Sequence, residues 1–171
     1  MKTILYILFI AVFGACMASC EKDSYNKDGL PEFANHYYAA YIPNNNSLVT
    51  VNRNQTALLK FAVQFYSAYV RDYDAVALYK VSTAGIANPA VLGQDFSIVD
   101  KNGAVIQPNA DGKYSMVFPQ AKRAMDTIYV KLLNSSVAGT RRMEIQLLDN
   151  IQEKYEVDTF STAFTRPVDI K

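Results

Sequence analysis

From His36 to Ile170 the chain repeats one pattern: short runs rich in Val, Ile, Tyr and Phe, each closed by a turn signal. No stretch keeps a helical period long enough to make a packed helix, whereas apolar and polar residues alternate within the runs as strands require. The runs are His36 to Ile42, Leu48 to Asn52, Ala57 to Tyr66, Asp74 to Ser82, Asp95 to Val99, Tyr114 to Phe118, Asp126 to Leu133, Arg142 to Leu148 and a last one near Phe160 to Ile170. Nine short runs over roughly 135 residues match the cadence of an all-β, Ig-like two-sheet antiparallel β-sandwich. Alternation assigns faces. Leu59, Phe61, Val63 and Phe65 point inward from the third run, against Lys60, Gln64 and Tyr66. Likewise Ile128, Val130 and Leu132 oppose Thr127, Tyr129 and Lys131, and Met143, Ile145 and Leu147 oppose Arg142, Glu144 and Gln146. In the fourth run Val76 and Leu78 are taken as the inner residues against Asp74 and Lys80. Pro43-Asn44-Asn45-Asn46, Asn102-Gly103 and Asp111-Gly112 supply turn chemistry, and Asp111-Gly112 ahead of Lys113 is the best hairpin signal.

Such a fold has to hold together by burial. Half of the 171 residues are apolar, with 12 Tyr, 9 Phe and no Trp, so there is ample core material. Both cysteines, Cys16 and Cys20, lie in the first twenty residues, which leaves the domain no disulfide, thiolate cluster or thiol nucleophile. The single histidine, His36, excludes Cys/His and multi-histidine zinc sites, and it is read as a solvent-facing or core-edge residue. Seventeen basic residues against 16 acidic ones, without a long run of either sign, argue against a nucleic-acid partner.

The N-terminus gives an address. Lys2, the apolar run Ile4 to Val12 and the small residues after it form an export signal too short for a stable membrane span. Its ending, Met17-Ala18-Ser19-Cys20, resembles the lipobox of bacterial lipoproteins, which implies lipidation at Cys20 and cleavage just before it; Cys16 is the second candidate. The expected organisation is a lipoprotein signal peptide at residues 1–19, a polar tether at 20–35 and a sandwich domain at 36–171. Cys20-Glu21-Lys22-Asp23 resembles the short signals that send some lipoproteins to the outer face of the outer membrane; a plain solvated linker is the alternative. The expected location is therefore the outer membrane, lipid-anchored, at the cell surface.

Further along, Gly93-Gln94-Asp95-Phe96-Ser97-Ile98-Val99, Met116-Val117-Phe118-Pro119, Asp126-Thr127-Ile128-Tyr129-Val130-Lys131-Leu132 and the Met143 to Leu148 strand resemble the gapped pattern of Calx-beta and related Ig-like domains. With the lipobox and Arg71-Asp72-Tyr73-Asp74-Ala75-Val76, the chain looks most like the small lipoproteins encoded beside SusC/SusD-type glycan-uptake pairs. That resemblance spans roughly Tyr41 to Leu148 and implies an accessory of polysaccharide acquisition that binds glycan or an outer-membrane uptake component. It does not extend to calcium: after Leu132 the loop Asn134-Ser135-Ser136-Val137-Ala138-Gly139 carries no carboxylate before Glu144. No metal and no cofactor are expected.

No phosphate loop or nucleophile elbow occurs. The carboxylates nearest in sequence, Asp72 with Asp74 and Glu153, Glu156 and Asp158, read as solvated loops or strand edges, so the chain is not expected to be an enzyme. The candidate ligand-binding residues are Tyr66, Tyr69, Arg71, Asp72, Tyr73 and Tyr79, an aromatic shelf around the third and fourth strands suited to sugar rings or a protein partner. The same tyrosines can equally be amphipathic rings on strand surfaces. The competing class is a structural or assembly adaptor, such as a surface or pilus-type component. The segment from Thr159 to Lys171 reads as an edge strand closing the domain, and the rival possibility is that this edge pairs with another chain.

Overall fold

A computed structural model of the chain describes residues 34–171, of which Asn35–Lys171 forms one compact unit. The expected signal peptide, Cys20 and nearly all of the expected tether lie outside the described residues. Eleven strands follow in order: β1 His36–Ile42, β2 Val49–Val51, β3 Leu59–Tyr66, β4 Ala75–Ser82, β5 Phe96–Val99, β6 Lys113–Phe118, β7 Ala124–Leu132, β8 Arg141–Leu148, β9 Asn150–Ile151, β10 Glu156–Thr159 and β11 Thr165–Ile170. A 3-10 turn, Pro119–Ala121, links β6 to β7.

The strands make two sheets, one ordered β5-β7-β3-β1-β10-β9 and one ordered β2-β11-β8-β4-β6. This is the expected two-sheet sandwich. Pairing is antiparallel except at two places, where β1 runs parallel to β10 and β2 parallel to β11. The two sheets close on apolar faces. Leu59, Phe61, Val63 and Phe65 of β3, Ile128, Val130 and Leu132 of β7, and Met143, Ile145 and Leu147 of β8 are all buried. The Phe65 and Phe118 rings stack across the gap at 4.4 Å and 11°, and the Tyr41 hydroxyl on β1 donates to the Ile145 carbonyl on β8 at 2.8 Å. An aromatic stack and a buried hydrogen bond thus fix the sheets against each other.

In β4 the expected split of Val76 and Leu78 against Lys80 does not hold, because the three alternate onto one face. Ala75, Ala77 and Tyr79 are the buried residues, and Val76 and Leu78 lie on the half-exposed side with Lys80. The partner strand explains the choice of small residues: Phe118, Met116 and Tyr114 of β6, all buried, stand directly opposite Ala75, Ala77 and Tyr79. Two large side chains beside two alanines fill the layer without strain.

The last strand is also corrected. β11 is not an edge; it lies between β8 and β2, so it offers no free ladder to another chain. Pro167 fits because β2 pairs only with Val168 to Ile170, so the missing N–H falls before that ladder begins. Arg166, the next inward residue, is only 5% exposed. It donates to the Pro43 carbonyl at 2.8 Å and to Asn45 Oδ1, and its guanidinium lies 4.7 Å from the centre of the Tyr41 ring. Burial holds its pKa below the usual arginine range. The charge is tolerated because carbonyl, amide and ring all face it.

The Gly93 to Phe96 motif is structural. Gly93 takes φ +81°, a left-handed value that favours glycine, and buried Asp95 accepts the Val91 N–H at 2.8 Å. Asp111-Gly112 does form a tight turn, closed by Asn109 Oδ1 accepting the Lys113 N–H at 2.8 Å. The strand that leaves it pairs with distant β4 rather than with the segment before the turn.

Candidate functional site

Of the six residues expected to form a binding shelf, Tyr69, Arg71 and Tyr73 come together around the Arg71 guanidinium, while Tyr66 and Tyr79 lie elsewhere. Tyr79 is a core residue, 3% exposed and stacked on Tyr114 at 5.1 Å. Burial is the main reason that its hydroxyl pKa is pushed upward. It sits inside because it shares the inward face of β4 with Ala75 and Ala77. Tyr73 packs at one end of the sandwich, stacked on Tyr155 at 5.6 Å and 8°. Its hydroxyl donates to Asn35 Oδ1 at 2.9 Å and lies 2.7 Å from the Tyr37 hydroxyl, which is therefore placed to donate to it. Burial first, and the bond to Tyr37 second, push the Tyr73 pKa up to about 12.

Tyr69 and Arg71 pair with each other, guanidinium over ring at 5.0 Å, in the loop between β3 and β4. That loop is tied down where the Arg71 N–H donates to the Gln120 carbonyl at 2.7 Å and Asp74 Oδ1 accepts the Gln120 N–H at 2.9 Å. Asp72 is exposed. Tyr69 and Tyr73 thus share Arg71 as a neighbour, whereas Tyr79 stacks on Tyr114 in the core.

Tyr66 leads elsewhere, onto the outer face of the six-stranded sheet. Register places Asp158, Tyr38 and Tyr66 side by side across β10, β1 and β3. Phe160, just after β10, is held by its N–H donating to the Ala39 carbonyl at 3.1 Å and covers these residues. Its ring stacks on Tyr66 at 5.6 Å and meets Tyr38 edge-on at 5.7 Å. Arg123 places its guanidinium 5.4 Å from the Tyr66 ring centre, and the His36 imidazole stacks on Tyr38 at 5.0 Å. Phe160 is 55% exposed. The result is an aromatic platform with a cation on one flank and polar groups on the other, on a face that no strand of the other sheet covers.

The polar flank is a cluster of His36, Glu156 and Asp158. One donor atom from each lies within 4.8 Å of the others, and His36 Nε2 is 2.6 Å from Asp158 Oδ2. A lone histidine followed 120 residues later by two acids carries no spacing signal in the sequence. The parallel β1–β10 register creates the cluster.

Elsewhere on the surface, a groove of about 520 Å³ near β9 is lined by Asp111, Lys113, Asp149 and Gln152 among others. Its two carboxylates have structural partners: Asp149 Oδ1 accepts from the Thr159 N–H at 2.8 Å, and Asp111 lies 3.9 Å from the Lys113 ammonium. In the loop after β7, where the resemblance to Calx-beta domains drew attention, the carbonyls of Ser135, Val137 and Gly139 accept hydrogen bonds from Arg53. Positive charge at that loop comes from the chain itself.

Among solved structures the chain is similar to the apo form of the Calx CBD1 domain, with a TM-score of 0.50 and 16% identity over 78% of this chain and 95% of that one. CBD12 from CALX1.2 follows at 0.49 and 16%, over 78% of this chain and 44% of that one, and the Calx CBD2 domain at 0.48 and 12%, over 78% and 85%. No protein-family model matches the chain, and no curated protein sequence matches it significantly. Likeness at this identity establishes the fold, a Calx-beta-type β-sandwich, as the sequence motifs implied.

Proposed function

We propose that the protein is a non-catalytic, lipid-anchored binding accessory of outer-membrane polysaccharide acquisition, and that the Tyr38, Tyr66 and Phe160 platform receives sugar rings. One observation carries the reading: the Phe160 ring contacts both the Tyr38 and the Tyr66 ring on an outer sheet face, beside the Arg123 guanidinium and the His36–Asp158 pair. A pyranose presents an apolar C–H face that stacks on aromatic rings and a rim of hydroxyls that needs donors and acceptors nearby. The lipobox at Cys20 and the likeness to lipoproteins beside glycan-uptake pairs support the biological setting, in which an uptake component is a second occupant of the same face. The test is a glycan array followed by isothermal titration of the hits. Saturable binding lost in both Phe160→Ala and Tyr66→Ala and retained in Tyr69→Ala supports the platform; loss in Tyr69→Ala alone relocates the site to the loop between β3 and β4.

The adaptor reading has one observation in its favour. β6 is an edge of the five-stranded sheet and carries Val117 on its exposed side. Self-association or partner capture abolished by Val117→Lys, with no glycan bound by folded protein, would favour it.

A further inference from the structure

We propose that His36, Glu156 and Asp158 form a site for one divalent transition-metal ion of the zinc class, on the outer face of the β1–β10 pair. The proposal does not depend on the glycan reading.

The register makes the site. His36 stands opposite Glu156, and Asp158 follows two residues later on the same side of β10, because side chains alternate along a strand. All three are half-buried, so the donors are accessible and only partly hydrated. Bonds of about 2.0–2.1 Å around a tetrahedral ion separate neighbouring donor atoms by roughly 3.3 Å. The 2.6 Å contact between His36 and Asp158 needs to open by less than about 1 Å, and Glu156 needs only a rotamer adjustment to close in from at most 4.8 Å. Strand backbones hold the three Cα positions, and the Tyr38 ring stacked on the imidazole at 5.0 Å restricts its rotation.

Charge supports the same conclusion. Two carboxylates beside one imidazole carry more negative charge than the pair bond neutralises, and a dication balances them. The imidazole decides the class of ion. Calcium and magnesium seek six or more oxygen ligands, whereas an imidazole with carboxylates suits zinc and its neighbours in the transition series. Three protein donors leave a position for water.

The test uses the full chain, free of any histidine tag, in mild detergent and stripped with a chelator. Titration with zinc chloride by calorimetry, with metal counted by mass spectrometry after dialysis, is expected to show one saturable equivalent that raises the melting temperature. His36→Ala, Asp158→Asn and Glu156→Gln should each weaken binding by more than the roughly 10–100-fold that loss of a supporting hydrogen-bond partner costs. All three should melt like wild type in chelator, which separates loss of a ligand from loss of the fold. Absence of saturable zinc binding, unchanged affinity in His36→Ala, or equal affinity for calcium would each overturn the proposal.

Discussion

Phe65→Ala is the perturbation that most directly probes how the two sheets are joined. Phe65 is fully buried and reaches across the sandwich to stack on Phe118 at 4.4 Å, with Tyr37 at 5.3 Å on its own sheet. Its cross-strand neighbours are Ala39 and Ala124, both small, so neither can swell into the space the ring vacates. Burial of an aromatic ring at a site that cannot collapse puts the cost in the upper part of the usual range for Phe→Ala, about 4 kcal/mol. An unfolding entropy of roughly 2.1 cal/mol/K per residue gives about 0.3 kcal/mol/K for a unit of this size, so the melting temperature should fall by about 14 °C. Thermal unfolding followed by circular dichroism reads this directly. Phe118→Ala should fall comparably, and the double variant should lose less than the sum by about 0.5–1.5 kcal/mol, the coupling expected of a stacked pair. Exposed Lys60→Ala on the same strand should stay within about 0.5 kcal/mol of wild type. A Phe65→Ala protein melting within 5 °C of wild type, on that roughly 14 °C expectation, would refute the claim that this stack closes the core.

Two further perturbations test separate parts of the account. Ala77→Asp should prevent folding or cost several kcal/mol by burying an unpaired charge, while Leu78→Asp, one residue along on the half-exposed face, should cost about 1 kcal/mol; denaturant titration separates them, and the reverse order would restore the opposite face assignment. Asp169 faces Arg142 across β11 and β8 in a two-point contact at 2.6 and 3.0 Å, and that hydrogen bonding holds its carboxyl below the ordinary range. Its folded pKa is depressed, so its stabilisation is complete above the unfolded carboxyl value near 3.9 and disappears as pH falls through the folded value. Asp169→Asn should therefore lower the melting temperature at pH 7 and converge with wild type in strong acid; a constant gap at every pH would contradict the assignment.

The strands of both sheets were legible where local alternation and core packing agree, as in β3, β7 and β8. β4 was not, because its inner residues are alanines: the large Met116 and Phe118 opposite them fill the volume, and only the pairing of β4 with β6 reveals it. β9 and β10 were missed for another reason. β9 has two residues, and β10, Glu156–Thr159, carries its only core residue, Val157, between two charges. Nothing local marks it as a strand, yet its parallel pairing with β1 sets Tyr38 beside Asp158 and brings Phe160 over Tyr66. The candidate surface was thus only half visible: Tyr66 stood out as an aromatic on a polar strand face, while Phe160 arrives from more than ninety residues away through a contact with no sequence signature. Tyr69, Arg71 and Tyr73 do gather around one guanidinium, as their closeness in the loop suggested, whereas Tyr79 is turned into the core by its place on β4.

The proposed binding surface is the outer face around Tyr38, Tyr66 and Phe160. The most direct measurement is a two-dimensional amide NMR titration of the isotope-labelled protein with the best oligosaccharide from the array. The account predicts shifts concentrated at Tyr38, Ala40, Tyr66, Arg123 and Phe160, with the β4–β6 edge undisturbed. Shifts confined to the loop between β3 and β4 or to the β6 edge, with those five amides unmoved, would contradict it.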